Sequence, residues 1–395
     1  MATIPSIALI PSGVKAGKIY SVLPTDGSGD FTFDRGNGTS TRINQQKLIE
    51  SVSNDVPRLD YGGGDCPSLL LEPSRANLLP YSTLDFNGGA SPNGWTIAIQ
   101  TGTFSYEQLS YKGQKAVKQT QTTAGRSYLD SGTISLLANT IHTLKIQFIL
   151  SETVLQQTDA VAVIIKSSGN VIYRFSDLNA DGLLEAQFDS VASTSLTLRV
   201  GIGSSGTASG GTSVAWAIPQ LEAGFYASSF IPTSGSTQTR QSETASKTGI
   251  SSLINSSEGV FYAQISALSD DLTFRVISLS DGTSLNRILI GFRNGSNEIY
   301  AELKSGGSSQ AFLPYTVADI TSHNKVALKY KSNDISLFIN GVKVLTDNSA
   351  TMPIGLDRIG LDIGTGSESF YGKCKDLRVY KTALTDSELQ TLTTP

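Results

Sequence analysis

The chain has 395 residues, more than one ordinary hydrophobic core accommodates, so two or three domains are expected. Hydrophobic residues make up 39% and charged residues only 16%, with 38 glycines and abundant Ser and Thr, a mix that suits short strands and tight turns and argues against a helix-rich fold. The formal net charge of -4, with no long basic run, argues against nucleic acid as a main partner, because phosphate contacts need clustered Lys and Arg.

Cys66 and Cys374 are the only cysteines and lie far apart. Neither a disulfide framework nor a CxxC metal site can be built from them. Two reduced, packed thiols are expected, which suits folding in a reducing cytoplasm. The opening "MATIPSIALIPSGVKAG" carries Pro5 and Pro11 and no basic stretch before a long apolar run, so it reads poorly as a signal peptide. No apolar stretch approaches a membrane span, and no membrane insertion is expected.

Up to about Asn77, short apolar pieces sit between Gly, Pro and Asn, as in "TDGSGDFTFDRGNGTSTRIN" and "LDYGGGDCPSLLLEPSRANLLPYS". This is too little core to fold alone, so the segment is expected to pack on a neighbour or on other copies of itself. The middle of the chain reads as strands. In "HTLKIQFIL", His142, Leu144, Ile146, Phe148 and Leu150 share one face, and "SLTLRVGIG" and "SVAWAIPQLE" supply later strands. The stretch "GSSGTASGGT" reads as a hairpin loop or flexible tip. "WAIPQLEAGFYASSFIP" reads as the closing strand of this sandwich, and "TSGSTQTRQSETAS" as a linker into the next.

In the last third, Ile288, Ile290 and Phe292 alternate before Asn294-Gly295, then Ile299, Ala301 and Leu303 follow. Val326, Leu328 and Tyr330, then Ile335, Leu337 and Ile339, repeat the pattern before Asn340-Gly341. Asn-Gly is the favoured type I′ hairpin pair, and Asp281-Gly282 is a third turn candidate. Thr385 and Glu388 have capping-box spacing and predict one short helix at the end. The expected fold is therefore all-β: two antiparallel β-sandwiches (jelly rolls) in tandem after a small irregular N-terminal segment. The expected boundaries are 1–77 for that segment, 78–232 for the first sandwich, 233–248 for the linker and 249–395 for the second.

"KAGKIYSVLPTDGSGDFTFDRGNGTSTRIN", "DVPRLDYGGGDCPSLLLEPSRANLLPYS" and "PQLEAGFYASSFIPTSGSTQTR" resemble a module of bacteriophage virion proteins, including tail-fibre and head-fibre proteins. The middle part resembles a carbohydrate-binding-module jelly roll. Gly259 to the end resembles a concanavalin A-like, laminin-G-like lectin sandwich, on "ISLFINGVKV" and "IGLDIGTGSESFYGKCKDLRVYKTALTDSELQTL". The resemblance implies a virion appendage, assembled in the host cytoplasm, whose N-terminal segment attaches to other virion proteins or self-associates. Its terminal domain would engage a bacterial surface polysaccharide. A homo-oligomer, a trimer in the favoured case, would turn weak single sites into useful avidity.

The residue chemistry points to binding rather than catalysis. Glucanases of the concanavalin A-like fold often carry E-x-D-x-x-E, and no Glu here has that spacing. Glu185 and Asp189 share a strand face at the wrong interval. Only His142 and His323 are available to a triad, no G-x-S-x-G elbow exists, and no HExxH motif is present. His142 reads as a core-edge residue and His323 as a turn residue. No cofactor is expected. Calcium is possible, with Asp270, Asp271 and Asp281 as candidate ligands whose competing role is turn formation. For stacking on sugar faces, Tyr300, Tyr315, Phe370 and Tyr371 lie in or beside loops of the last domain, with core packing as the competing role. Trp95 and Trp216 read as core. A purely structural or decoration protein contacting only other virion proteins, and a polysaccharide depolymerase, are the alternative readings.

Overall fold

The computed structural model describes residues 3–36, 38–191, 193–203 and 207–395, so residues 204–206 of the "GSSGTASGGT" loop lie outside the described residues. Strands dominate, and the one α-helix among the described residues is the last element, Asp386–Thr393. It starts at the expected capping box. The Glu388 N–H donates to the Thr385 hydroxyl at 3.3 Å, and the Thr385 N–H donates to the Glu388 carboxylate at 2.8 Å. Asn340 and Gly341 take φ of 48° and 84°, the pair a type I′ hairpin needs. Asn294-Gly295 does not form that turn. Five residues, 293 to 297, join Arg287–Phe292 to Glu298–Ser305, and the left-handed position falls at Asn297 with φ 53°.

The middle of the chain forms one sandwich. Its five-stranded sheet runs Phe104–Tyr111, Gln114–Gln121, Thr212–Ala223, Ile141–Phe148, Leu183–Asp189. Its six-stranded sheet contains Trp95–Thr101, Arg126–Ser131, Ser195–Ile202, Ala160–Lys166 and Val171–Arg174, with Ile134–Ser135 beside Ser195–Ile202. Period-2 alternation sends Leu144, Ile146 and Phe148 from one sheet against Leu198, Val200 and Ile202 from the other. Trp95 and Trp216 both lie in this core, edge to face at 5.0 Å. Leu150 leaves the expected alternation in a 3₁₀ turn and is 40% exposed. Pro219 has no N–H for the ladder, and the register shifts between Lys145 and Gln147 beside it, with Ile218 at φ 46°.

The other sandwich is where the sequence expectation and the structure differ. Its eight-stranded sheet places the last strand, Gly372–Tyr380, between Glu258–Ala267 on one side and two N-terminal strands, Ile7–Leu9 and Ser68–Leu71, on the other. Its nine-stranded sheet continues from Arg358–Gly360 through Thr244–Lys247 into Phe31–Asp34, Lys18–Ile19 and Val14–Lys15. Ile7, Leu9, Ile19, Phe31, Phe33, Leu69 and Leu71 are buried in the same core as Phe261, Ile288 and Val379. The short N-terminal pieces are thus strands of the terminal sandwich. They lacked enough apolar surface for a core of their own because they complete another one.

The expected linker is also corrected. Residues 238–240 and 244–247 are strands, not linker. Gln238–Arg240, returning from the middle sandwich, pairs antiparallel with Arg75–Asn77, which leads out to it. The middle sandwich is therefore an insertion carried on a two-stranded neck. Gly38 bridges to Arg240 at φ 133°, and a Cβ there would come within 2.4 Å of the Thr239 carbonyl oxygen.

Buried charge fixes the neck. Arg58 is fully buried and donates from Nε to Glu243 at 2.8 Å and from Nη1 to Glu72 at 2.6 Å. Arg240 reaches Glu72 at 3.0 Å, and Arg35 reaches Glu243 at 3.3 Å. Burial would raise the Glu72 carboxyl, but the Arg240 and Arg58 guanidiniums outweigh it and hold it well below the carboxylate range. The inserted sandwich joins through Ser229, whose N–H donates to Glu72 at 2.8 Å, and its own return segment is held by Gln220, whose Oε1 accepts from the Ile231 N–H at 2.6 Å. Glu222, buried beside them, accepts two bonds from Ser228 at 2.6 Å, yet burial still raises its carboxyl.

His323 belongs to this junction rather than to an isolated turn, with Nε2 3.2 Å from the Ser68 hydroxyl. Burial, with Lys375 and Lys373 nearby, lowers its imidazole from 6.5 to about 4. A depressed histidine contributes stability that is present above its unfolded value and lost as pH falls towards the folded one. His323→Gln is therefore expected to lose less stability than the parent between pH 7 and pH 5. Urea midpoints at both pH values check this, and equal losses would contradict it. Of the two cysteines, Cys374 is packed as expected, with burial pushing its thiol up to about 12, whereas Cys66 is exposed.

Candidate functional site

The nine-stranded sheet has one face in the core and one outside. Ile288, Ile290, Ile299, Ala301, Ala311 and Leu313 point inward. Alternation then puts Leu289, Tyr300, Glu302 and Phe312 on the outer face. Register brings them together: Tyr300 is opposite Gly291 and Pro314, and Glu302 is opposite Leu289 and Phe312. Tyr300 is only 4% exposed because it packs on Val276 and Leu289 and is flanked by two rings. Phe274 meets it near-perpendicularly at 6.1 Å and Phe312 at 5.9 Å. Those outer rings are 40% and 44% exposed, so a buried tyrosine carries a two-phenylalanine ledge at the surface.

Charged groups border the ledge. The Arg293 guanidinium lies 5.1 Å from the Phe312 ring centre and is held by Glu298 at 2.8 Å. Arg287 pairs with Glu302, opposite Phe312, at 3.0 Å. Burial raises the Tyr300 phenol well above its ordinary value, and Glu368 and Glu302 add to the rise. The ledge is thus apolar at its centre and polar at its rim, with its side chains held by packing and ion pairs.

The aromatic candidates from sequence divide. Phe370 is fully buried and stacked on Phe292 at 5.9 Å, which removes it as a sugar platform. Tyr300 is buried as well, and its role is to support Phe274 and Phe312. Tyr315 is 38% exposed on the edge strand opposite Ile299, on the core-facing row. Tyr371 is half-buried next to Phe370, with its N–H donating to Ser369 at 3.0 Å. Phe274 and Phe312 were missed. The signal for Phe312 was its place between Ala311 and Leu313, both core residues.

The aspartates do not converge either. Asp270 accepts from the Ser296 hydroxyl at 2.6 Å and the Asn297 N–H at 3.1 Å. Asp271 is paired with Arg275. Asp281 closes its own turn through the Thr283 N–H at 2.8 Å and the Asn286 amide at 2.9 Å. Among the described residues, no group of three His, Cys, Asp or Glu is arranged to hold a metal ion. Glu185 and Asp189 act locally, accepting from the Ala227 and Val191 N–H groups at 3.0 and 2.9 Å. His142 is fully buried, with Nδ1 2.9 Å from the Thr140 carbonyl and its ring stacked on Phe188.

Residues 244–390 match the family model described as the Concanavalin A-like lectin/glucanases superfamily. The N-terminal strands that complete both sheets lie outside that match. Among curated proteins none matches the chain. Similar solved structures include the CBM40 of a Ruminococcus gnavus IT-sialidase, at 22% identity over 35% of this chain and 84% of that one, with a TM-score of 0.32. Domain 4 of AbnA, a GH43 extracellular arabinanase from Geobacillus stearothermophilus in complex with arabinotriose, is 13% identical over 39% of this chain and 73% of that one, with a TM-score of 0.31. The botulinum neurotoxin serotype G binding domain is 14% identical over 38% of this chain and 40% of that one, with a TM-score of 0.29.

Proposed function

We propose that this chain is a non-enzymatic structural component of a bacteriophage virion, a tail- or head-fibre appendage that binds host cell-surface glycan through its terminal sandwich. The observation that carries the binding part is the Phe274–Phe312 ledge on the outer sheet. Exposed rings with a charged rim are the chemistry that stacks on a sugar face and orients its hydroxyls. The lectin-superfamily match over residues 244–390 supports it. The virion part rests on the resemblance of residues 15–44, 55–82 and 219–240 to the phage virion module. Binding without cleavage fits the paired carboxylates at the ledge, since Glu302 and Glu298 each pair with a guanidinium. Other virion proteins are the proposed partners, and a trimer the proposed assembly.

The test is a panel of bacterial polysaccharides incubated with the full-length chain, with the supernatant assayed for released oligosaccharide. Retention on at least one polymer without release is expected. Release would favour a depolymerase, and no retention would favour a purely structural virion protein. An antibody against the chain is expected to label phage particles, and unlabelled particles would remove the virion part.

A further inference from the structure

Where the neck, the inserted sandwich and the terminal sandwich meet, they enclose a cavity of about 510 Å³, within the range of small-molecule pockets. One wall is the outer face of the five-stranded sheet. Leu144 and Ile146 face that sandwich's core, so Lys145 and Gln147 face the cavity, with Gln220 and Glu185 across from Lys145 on the neighbouring strands. The opposite wall holds Ser266, His323 and Lys373 of the terminal sandwich. Apolar side chains, Ile43, Ile49 and Phe230 among them, close the remaining side.

The charge of this lining is unbalanced. Arg42, Lys112, Lys145 and Lys373 face three carboxylates, Asp60, Glu72 and Glu185. Glu72 is spent on Arg58 and Arg240. Asp60 holds Lys373 at 3.1 Å, and Arg42 is held by Glu50 at 2.7 Å. Among the described residues Lys145 has no carboxylate within ion-pair distance, because Glu185 turns to the Ala227 N–H. The Gln147 amide nitrogen is held by the Phe148 and Asp181 carbonyls at 3.0 and 2.7 Å, which fixes its Oε1 as the acceptor left to a guest. A free ammonium and neutral hydrogen-bonding groups beside an apolar wall describe one kind of guest.

We propose that this cavity is a second binding site, separate from the ledge, that takes a carboxylate-bearing mono- or disaccharide. Lys145 binds the carboxylate, the Gln147 Oε1 and the Ser266 hydroxyl meet the ring hydroxyls, and Ile49 and Phe230 cover a ring face. Lysine acts here as a point charge, which suits one carboxylate rather than a phosphate clamp.

The test uses the full-length chain in calorimetric titrations with digalacturonate, its neutral methyl ester, and acetate. Digalacturonate is expected to bind at least tenfold tighter than the ester or acetate, and more weakly as salt rises. Lys145→Met is expected to weaken it at least tenfold, Glu185→Gln to tighten it, and Phe312→Ala to leave it unchanged. Equal binding of the ester, equal binding of acetate, or no binding of digalacturonate would overturn the proposal. So would a folded Lys145→Met variant of unchanged affinity. If Lys145→Met does not fold, Glu185→Gln decides: tighter binding supports the site and unchanged binding overturns it. Loss of polymer retention in Phe312→Ala with digalacturonate binding intact separates the two sites.

Discussion

Residues 233–395 on their own are expected not to fold, although they include the whole span that matches the lectin superfamily. Such a fragment lacks Ile7, Leu9, Ile19, Phe31, Phe33, Leu69 and Leu71, all buried in the terminal core. At about 1.5–3 kcal/mol per buried large apolar side chain, the loss is about 10–20 kcal/mol. That matches or exceeds the whole stability of an ordinary domain, about 5–15 kcal/mol. The fragment would also leave both edges formed by Gly372–Tyr380 and Thr244–Lys247 unpaired, which invites aggregation. The nested topology supplies the complementary experiment. Asn77 and Gln238 are directly paired across the neck, so a two-residue Asn-Gly turn can join them in place of the whole insertion. A chain of residues 1–77, that turn and residues 238–395 is expected to be soluble, with a cooperative thermal transition. Folding of 233–395 alone, or failure of the joined chain, would contradict the nested arrangement.

The second large effect is expected at Arg58. Arg58→Ala removes the guanidinium that both Glu72 and Glu243 depend on, leaving buried carboxylates short of charge and donors. Breaking a buried pair on one side costs about 3–5 kcal/mol. Arg58→Lys keeps the charge but cannot bridge two carboxylates as a planar fork does, so an intermediate loss is expected. Both tryptophans report on the inserted sandwich, so fluorescence in urea follows that half, while far-UV circular dichroism follows all strands. Loss of less than about 1 kcal/mol in Arg58→Ala, the range of an exposed ion pair, would show that the neck charges are not what couples the sandwiches.

What the sequence disclosed was local. The Thr385–Glu388 capping box, the Asn340-Gly341 turn and the inward alternation of Leu144, Ile146 and Phe148 depend on neighbours a few residues away, and each could be read in place. Long-range pairing was not legible. A three-residue strand such as Ile7–Leu9 carries no mark of its partner at Leu377–Val379. For the same reason residues 238–247 read as linker: their polar composition is that of a neck whose partners are buried charges. Arg58, Glu72, Gln220, Glu222 and Arg240 lie far apart in sequence and meet at the neck, which no single stretch discloses. The candidate site was half legible. Tyr300 was recognised as an aromatic near a loop, but which face of the sheet it occupied, and that Phe312 beside Leu313 was the exposed ring, depended on the packed sandwich.

The most direct measurement for the binding claim is the affinity of the full-length chain, the Phe274→Ala/Phe312→Ala double variant and Tyr315→Ala for the polysaccharide retained in the panel. The double variant is expected to bind at least tenfold more weakly and to stay folded with a modestly lower melting temperature, because it removes half-buried rings that cover Tyr300 and leaves the inward face intact. Tyr315→Ala, on the opposite row of the edge strand, is expected to bind as the parent does. A folded double variant with parental affinity would contradict a glycan site on the outer sheet.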